Sequence, residues 1–301
     1  MKPEVALVKG GTRSQNIDTA LHLIENEIDL AGKSNVFIKV NFVITDNQLA
    51  ATHVDGVRAL LKFLREHYNG KITIGEGTLG PARPGYERYG YLNLVKEFNV
   101  ALVDLNDGEW NMLDLYNSEL QPMKVHFSRQ LLESDYLISV GPSKTHDMVV
   151  ATLSIKNVIM GGVSFPHNDK VKIHQGYPAM NLNLYLMATS CLPQLSIIDG
   201  FTGMDGEGPG MGDPVDWGIA IASCSAVAAD SLAANLMGFD ISDIGYLWYL
   251  QKMGYGTGDI TQMDIIGEDP EQCRRIFKPH STFAQQKKWQ DDRINTLLKI
   301  Q

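Results

Sequence analysis

Lysine and histidine side chains are concentrated in one stretch of this chain, between Ser139 and Gly176. The stretch holds four lysines, two aspartates and three histidines, which gives it a local net charge of +2. Lysine supplies countercharge for an anion, while neutral imidazole binds transition metals and exchanges protons near neutral pH. The stretch therefore predicts an anion site, with a divalent metal as an alternative and a solvated surface loop as the structural explanation.

The four lysines of this stretch have different surroundings. Lys144 and Lys156 stand among apolar or small residues, which predicts burial, whereas Lys170 and Lys172 lie in polar sequence that predicts exposure. Lysine is rarely buried unless it is paired or functional. We therefore expect Lys144 and Lys156 to belong to a site, and Lys170 and Lys172 to be ordinary surface lysines.

Polar side chains also stand at the ends of predicted strands. Lys39 and Asn41 stand at the end of the second predicted strand. Glu76 follows the third strand and Asp199 follows the sixth. Open parallel sheets bind ligands beyond the carboxyl ends of their strands, so we expect these residues to meet His146 at one edge. For the asparagine an ordinary strand-to-helix turn stays open as the alternative.

A second polar segment follows later in the chain and is acidic and rich in glycine. Residues 199–216 contain five acids and no lysine or arginine. These acids are Asp199, Asp205, Glu207, Asp213 and Asp216. Such a loop would bind a hard cation or offer a carboxylate base to the basic stretch, and a long surface turn is the alternative.

Short β-branched runs alternate with segments of helical period, which predicts an α/β fold with a mainly parallel sheet and flanking helices. The predicted strands are Val5–Val8, Val36–Val40, Ile72–Gly75, Ala101–Leu105, Tyr136–Val140, Leu195–Ile198, Gly218–Ala222 and Met263–Ile266. The predicted helices are Asn16–Asp29, His53–Tyr68, Ser225–Met237, Ile244–Met253 and Phe283–Ile300.

One nucleotide-binding pattern occurs and is weak. Residues 75–80 match G-x-G-x-x-G, but Pro81 and Pro84 follow where the phosphate-binding helix would begin. No G-x-x-x-x-G-K-S/T sequence occurs, which argues against a P-loop enzyme.

Composition limits the classes of partner. The 301 residues carry 26 basic and 35 acidic side chains, a net charge of −9, which argues against general nucleic-acid or anionic-membrane binding. No apolar run is long enough to span a bilayer, and the start of the chain lacks a signal-peptide core. The three cysteines are widely spaced, which predicts a reducing, cytoplasmic compartment.

Several short motifs occur together in a specific order. They are Lys39-Val40-Asn41, Thr52-His53, Glu76-Gly77, Lys144-Thr145-His146, Lys156-Asn157, Gly161, Asp199-Gly200, Met204, Glu207-Gly208-Pro209, Asp230 and Gly238. From about Lys39 to about Asp240 the chain resembles the family called domain of unknown function three hundred and sixty-two. Relatives in that family often carry ferredoxin-like modules, which implies a redox context. Because this chain lacks the cluster cysteines, no intrinsic iron–sulfur cluster is expected and a separate ferredoxin-like partner would be needed.

The resemblance also sets the expected domain organisation. Residues 1–270 would form a single family domain, with a division into two lobes near residues 160–200 left open. Residues 271–301 would form a helical tail. The oligomeric state is not set by the sequence, and a homodimer is one of the alternatives.

A remoter resemblance is to nickel-pincer lactate racemase-like proteins, which show a comparable spacing from histidine to lysine. It implies that Lys156 anchors a nickel-pincer nucleotide and that His146 is an acid/base. His167 or His174 would then be a metal ligand.

The leading hypothesis from the residues is an enzyme that acts on a small carboxylate or phosphate anion. Lys39, Lys144 and Lys156 would neutralise the anion, and His146 would be the general acid/base. Glu76 or Glu207 would orient the histidine or bind a cation. Further binding residues would be Asn41, Asn157, Gly161 and Asp199. The rival is a non-catalytic module that binds an anion or metallocofactor for a redox partner.

Overall fold

The structure is a computed structural model, and it describes residues 1–300. Its strands are β1 (Glu4–Lys9), β2 (Asn35–Lys39), β3 (Lys71–Glu76), β4 (Ala101–Asp104), β5 (Trp110–Tyr116), β6 (Pro122–Ser128), β7 (Tyr136–His146), β8 (Val150–Thr152), β9 (Leu195–Asp205), β10 (Asp213–Ser223) and β11 (Asp264–Gly267).

Helices connect most of these strands. They are α1 (Arg13–Leu23), α2 (Val54–His67), α3 (Arg83–Arg88), α4 (Leu92–Phe98), α5 (Arg129–Leu132), α6 (Ser154–Gly162), α7 (Asp169–Lys172), α8 (Tyr177–Ser190), α9 (Ala226–Leu236), α10 (Gly245–Lys252), α11 (Pro270–Cys273), α12 (Phe283–Gln286) and α13 (Asp292–Leu298).

One nine-stranded sheet organises the described part of the chain. Its strand order is β11-β1-β10-β9-β7-β2-β3-β4, with β8 added to β7. Strands β9, β7, β2, β3 and β4 run parallel to their neighbours in that order, and β10 is antiparallel to both strands beside it. The predicted α/β class with a mainly parallel sheet is confirmed. The carboxyl ends of β2, β3 and β7 therefore meet at one edge.

Two apolar layers cover the faces of the sheet. Val36 and Ile38 of β2 pack with helix α2 on one face, while Phe37 packs with helix α6 on the other. Because successive residues of a strand point to opposite faces, Lys39 lies on the same face as Phe37. The alternation of β2 thus aims a lysine at helix α6, although the surrounding layer is hydrophobic.

The predicted strands are all present, but three are longer than predicted by five residues or more, since β7 and β9 end later and β10 begins earlier. Strand β7 continues through the Lys-Thr-His motif because its last residues pair with β8 and β9. Strand β9 continues to Asp205 and pairs with β10 from Asp213 onward. Much of the segment predicted as a long glycine-rich loop is therefore a two-stranded arm, and residues 206–212 form its turn.

Two further expectations need correction. The antiparallel pair β5–β6 has no counterpart in the prediction, since its charged residues obscure the strand pattern. The predicted single helix Phe283–Ile300 is instead the two short helices α12 and α13. The chain turns between them so that Trp289 is buried and its Nε1–H donates to the Ser242 carbonyl at 3.0 Å.

The domain boundaries stay predictions. Strands β7 and β9, which precede and follow residues 160–190, are neighbours in the sheet.

Candidate functional site

A buried ion pair lies at the carboxyl edge of the sheet, where β2 and β3 end side by side. Lys39 Nζ donates to Glu76 Oε1 at 3.0 Å, to Asn157 Oδ1 at 3.1 Å and to the Val40 carbonyl at 2.5 Å. Glu76 Oε2 accepts the Phe42 N–H at 2.7 Å. Burial lowers the pKa of Lys39 and the adjacent Glu76 carboxylate opposes this. All three ammonium protons are satisfied, so the pair is a fixed part of the fold.

A second buried lysine is tied to the same network from β7. Lys144 Nζ donates to Asn41 Oδ1 at 2.5 Å and to the Ala50 carbonyl at 3.0 Å. Asn41 Nδ2 donates to Asn157 Oδ1 at 3.2 Å, and Asn157 Nδ2 donates to the Lys39 carbonyl at 3.1 Å. The two asparagines therefore connect the two lysines and hold each other in a defined rotamer.

A cavity of about 210 Å³ opens above this network. Glu76, Asn41 and Asn157 reach its wall, whereas Lys39 and Lys144 lie behind the wall. The apolar part of the lining comes from Phe42, Val43, Leu79, Met160 and Pro209. The polar part comes from His146, Asp147, Thr152, Lys156, Lys170 and His174. The structure thus brings most of the predicted basic site to one cavity. Lys39 and Lys144, two of the predicted anion-binding lysines, lie behind the cavity wall and hydrogen-bond other protein groups.

Lys156 is the least satisfied group in this lining. It is 5 % exposed, and among residues 1–300 its Nζ has no hydrogen-bond partner. Burial lowers its pKa to about 8. A buried polar group without a partner costs stability. An amine left in this state beside a cavity is therefore available to a ligand.

Lys170 corrects the sequence expectation of an exposed lysine. It is 6 % exposed, its Nζ donates to the Met160 carbonyl of α6, and burial lowers its pKa to about 7. The short helix α7 turns it inward, whereas Lys172 on the same helix is exposed as predicted. The sequence pattern did not identify Lys170 as buried. Its side chain points inward only because residues 164–168 fold back against the rest of the protein.

The two cavity histidines differ in which ring nitrogen carries the proton. Met148 N–H donates to His146 Nδ1 at 3.0 Å, so the proton of the neutral ring resides on Nε2. The Asp147 carboxylate lies 2.9 Å from the same Nδ1 and opposes the lowering of the pKa of His146. His174 Nδ1 instead donates to the Lys170 carbonyl, which leaves the Nε2 lone pair free. The cavity therefore holds one imidazole N–H donor and one imidazole acceptor.

The pKa of His146 differs from the sequence expectation. Burial, reinforced by Lys156, lowers it to about 3. At neutral pH this imidazole is uncharged, so it acts as a hydrogen-bond donor and not as a group that titrates near pH 7. Burial also lowers the pKa of His174, which keeps its Nε2 unprotonated.

Three predicted site residues lie elsewhere. Asp199 pairs with Arg13 at 2.8 Å in a separate depression, and Glu207 is exposed and contacts His280 at 3.0 Å. His167 stacks on His126 with ring centroids 3.8 Å apart and hydrogen-bonds Ser164. The acidic segment contributes Pro209 to the cavity lining, while Glu76 and Asp147 supply its carboxylates.

Gly161 has a packing role that sequence reasoning did not foresee. It lies inside helix α6, and a Cβ at this position would stand 1.9 Å from Lys39 Cε. Gly77 is similar, since its Cβ would lie 2.3 Å from the Gly161 carbonyl oxygen. These glycines let α6 approach β2 and β3 closely, so Gly161, predicted as a binding residue, lines the cavity from inside a helix.

Helix α6, which carries Lys156 and Asn157, is held at its N-terminus by Asp230. The carboxylate accepts the Ser154 and Ile155 N–H groups, both at 2.9 Å. Asp230 is completely buried, and burial raises its pKa to about 7 against the opposing effect of these two bonds. The residue is therefore an internal helix cap that positions the cavity lysine.

Replacing Asp230 by alanine is expected to lower the free energy of unfolding by about 2–3 kcal/mol, because two buried N–H groups lose their acceptor. Asp259→Ala removes an exposed cap of the Thr261 N–H and should cost less than about 1 kcal/mol. Urea unfolding of both variants checks this, and equal losses would contradict the capping role.

The motifs that line this cavity fall within a family match. Residues 36–235 match the family described as Domain of unknown function (DUF362). The chain belongs to the DUF362 family. The match covers every residue of the cavity lining, and the family predicted from the short motifs is confirmed.

A curated relative of this DUF362 protein is the thylakoid-associated protein sll1697 of Synechocystis sp. (strain ATCC 27184 / PCC 6803 / Kazusa). It is 26 % identical over 207 residues, which are 67 % of this chain and 62 % of the relative. The chain thus spans less than two thirds of that relative's length.

One solved structure shares the fold at low sequence identity, and a second is similar to a smaller degree. The lactate racemase apoprotein from Thermoanaerobacterium thermosaccharolyticum has a TM-score of 0.52 at 12 % identity, covering 79 % of this chain and 57 % of that chain. A crystal structure of a Thermotoga maritima protein has a TM-score of 0.49 at 13 % identity, covering 76 % of this chain and 60 % of that chain. The likeness to lactate racemase confirms the remote resemblance at the level of fold.

The side chains do not fit the nickel-pincer assignment. An anchoring lysine is present in Lys156, but His167 is engaged by His126 and Ser164 and does not line the cavity with His174. Within residues 1–300, no group of three or more His, Cys, Asp or Glu side chains is arranged to hold a metal ion. The proposed reaction therefore uses no nickel-pincer cofactor.

None of the described helices is long and apolar enough to cross a membrane.

Proposed function

We propose that this DUF362 protein is an enzyme that binds a small carboxylate in the cavity and moves a proton at a carbon next to a carbonyl group. The observation that carries the proposal is Lys156, a 5 % exposed lysine of the lining whose Nζ has no hydrogen-bond partner among residues 1–300. Polar groups with so little exposure are almost always paired in the functional state, so this amine indicates a ligand.

Charge favours an anion as that ligand. Lys156 and Lys170 reach the cavity without a carboxylate partner within ion-pair distance, whereas the charge of Glu76 is already balanced by Lys39. In a site of low dielectric a negative group favours the protonated form of both lysines and is attracted to it, while the Asp147 carboxylate of the lining acts on Lys156 in the same sense. The fold likeness to a lactate racemase supports a short carboxylic acid over a phosphate ester.

The two histidines suit proton transfer on such a ligand. His174 Nε2 carries a lone pair and would act as the base that removes a proton from carbon. His146 Nε2–H would donate a hydrogen bond to the carbonyl oxygen as charge develops there. A neutral imidazole is an effective donor for this purpose, and its low pKa ensures that it stays neutral.

Exchange of pyruvate methyl protons with deuterium tests this function. The wild-type protein in D₂O is expected to catalyse the exchange, and His174→Gln to slow it by about 100-fold or more. Because burial lowers the pKa of His174, the rate should persist below the usual titration range of histidine. Proton NMR of the methyl signal gives the rate.

The control variant is His67→Gln, which replaces an exposed histidine outside the cavity. It should leave the exchange unchanged. Saturable binding of pyruvate without any exchange would contradict the enzyme and favour the rival, a binding module.

A further inference from the structure

We propose that Lys156 is a nucleophile that forms an imine with a 2-oxo acid bound in the cavity. This inference rests on the proposed carboxylate-binding function and names a covalent step within it. The geometry that points to it is a largely buried amine without a hydrogen-bond partner, facing a cavity that is also lined by Lys170 and by an imidazole donor.

The position of Lys156 in its helix favours the neutral amine. It is the third residue of α6, in the first turn, where the helix dipole disfavours a cation. The Asp230 carboxylate offsets part of this effect, but both of its oxygens accept backbone N–H groups. No carboxylate oxygen among residues 1–300 lies within ion-pair distance of Lys156 Nζ.

One neighbouring charge opposes this tendency. The Asp147 carboxylate favours the ammonium form of Lys156, but burial has the larger effect and lowers its pKa to about 8. Lysines become nucleophilic when they are desolvated or lie near another cation. With a pKa of about 8, roughly a quarter of Lys156 is neutral at pH 7.5, against roughly 0.1 % of an exposed lysine.

The other groups of the lining match the needs of the reaction. Lys170, on helix α7, supplies a positive charge for the carboxylate once the bound anion raises its pKa. His146 Nε2–H donates to the 2-oxo oxygen and polarises the carbonyl.

The step balances without an oxidant or reductant. The Nζ lone pair forms a bond to C2 of the 2-oxo acid, the carbonyl π electrons move to oxygen, and the oxygen takes a proton as the nitrogen loses one. The carbinolamine then loses its hydroxyl group with a second nitrogen proton as water, and the C=N bond forms. The products are one imine and one water molecule.

Reductive trapping tests the proposal. The full chain is incubated at pH 7.5 with pyruvate, glyoxylate or 2-oxoglutarate and sodium cyanoborohydride, and then analysed by intact mass and peptide mapping. We expect at least one of these acids to give a single adduct on Lys156, with a mass increase equal to the acid less one oxygen atom. From the neutral fractions, Lys156 should react roughly 200-fold faster than exposed lysines.

Variants assign the reaction to its residue. Lys156→Met should remove the adduct, and Lys170→Met should slow its formation by about tenfold or more through loss of the carboxylate partner. Lys62→Met, which changes an exposed lysine of helix α2, should have no effect. Lactate, which has no carbonyl to attack, should protect Lys156 from trapping.

Two outcomes would overturn the proposal. One is an absence of any Lys156 adduct with all three acids, and the other is labelling spread over surface lysines as in the urea-unfolded chain. If calorimetry still shows lactate binding in either case, the imine alone is wrong and the carboxylate site stands. If lactate also fails to bind, the proposed function is wrong as well.

Discussion

Replacing Lys156 by methionine is expected to weaken carboxylate binding and, at the same time, to stabilise the protein. Methionine fills similar space and needs no hydrogen bond. A pKa lowered from 10.5 to about 8 means that the protonated lysine favours the unfolded chain. One pKa unit corresponds to about 1.4 kcal/mol, and relaxation around the buried charge makes its actual cost smaller than the full pKa shift implies. The free energy of unfolding of Lys156→Met is therefore expected to exceed that of the wild type by about 2 kcal/mol at pH 7.

The pH dependence of this gain follows from the sign of the pKa shift. Below about pH 8 Lys156 is protonated in both states, so the fold carries the full cost of the buried charge. Between about pH 8 and 10.5 only the unfolded chain binds the proton, and wild-type stability rises with pH relative to Lys156→Met. The advantage of the variant should therefore be largest below pH 8 and should fade toward pH 10.5.

Chemical unfolding and oxalate titration of the same preparations check both parts. Oxalate affinity should fall by about 10- to 100-fold in Lys156→Met, since a charged hydrogen bond is lost. Lys62→Met should change neither quantity. A variant that is less stable than wild type, or that binds oxalate equally well, would show that Lys156 has a structural role.

The opposite effect on stability is expected for Glu76→Gln. This change keeps the shape of the side chain but removes the charge that compensates buried Lys39. Breaking a buried ion pair from one side leaves an uncompensated charge and typically costs 3–5 kcal/mol. We expect a loss of about 3 kcal/mol in the free energy of unfolding, measured by urea denaturation.

Two further variants isolate the cause of that loss. Glu87→Gln breaks the exposed pair between Arg83 and Glu87 and should cost less than about 0.5 kcal/mol. In the double variant Lys39→Met, Glu76→Gln the uncompensated charge is gone, so part of the loss should be recovered. If the double variant recovers none of the loss caused by Glu76→Gln, Lys39 and Glu76 are not coupled as the structure shows.

Much of the fold could be predicted because it depends on local periodicity. The predicted strands and the helix at residues 54–67 follow from alternation or from spacing of three and four residues, which packing on a sheet requires. The extension of β7 through Lys144 and His146 could not be predicted this way. Polar residues at a strand end look like a loop, and only pairing with β8 and β9 makes them a strand.

In the candidate site, too, some residues could be predicted from local sequence and others could not. His146, Lys156, Asn41, Glu76 and Asn157 were predicted from strand ends and short motifs, and they contribute to one cavity wall. Asn41, Glu76 and His146 lie at the carboxyl ends of β2, β3 and β7, which a parallel sheet must bring together.

Other placements depend on contacts between residues far apart in sequence. Asp199 is held by Arg13, and Glu207 is held by His280, so neither reaches the cavity. Lys170 is turned inward by the fold-back before α7. No local sequence pattern reports such contacts, which explains why two acids were assigned to the site and one lysine was left out.

Binding of a small carboxylate in the cavity through Lys156 and Lys170 can be measured by calorimetric titration with oxalate. Titrations in buffers of different ionisation enthalpy also report the protons taken up on binding. At pH 8 both lysines are partly neutral, with pKa values of about 8 and about 7, and a bound anion must raise these values. The account predicts one saturable site with proton uptake at pH 8, and uptake that vanishes near pH 5.5, where both lysines are already protonated. Absence of saturable binding, or binding at pH 8 without proton uptake, would contradict it.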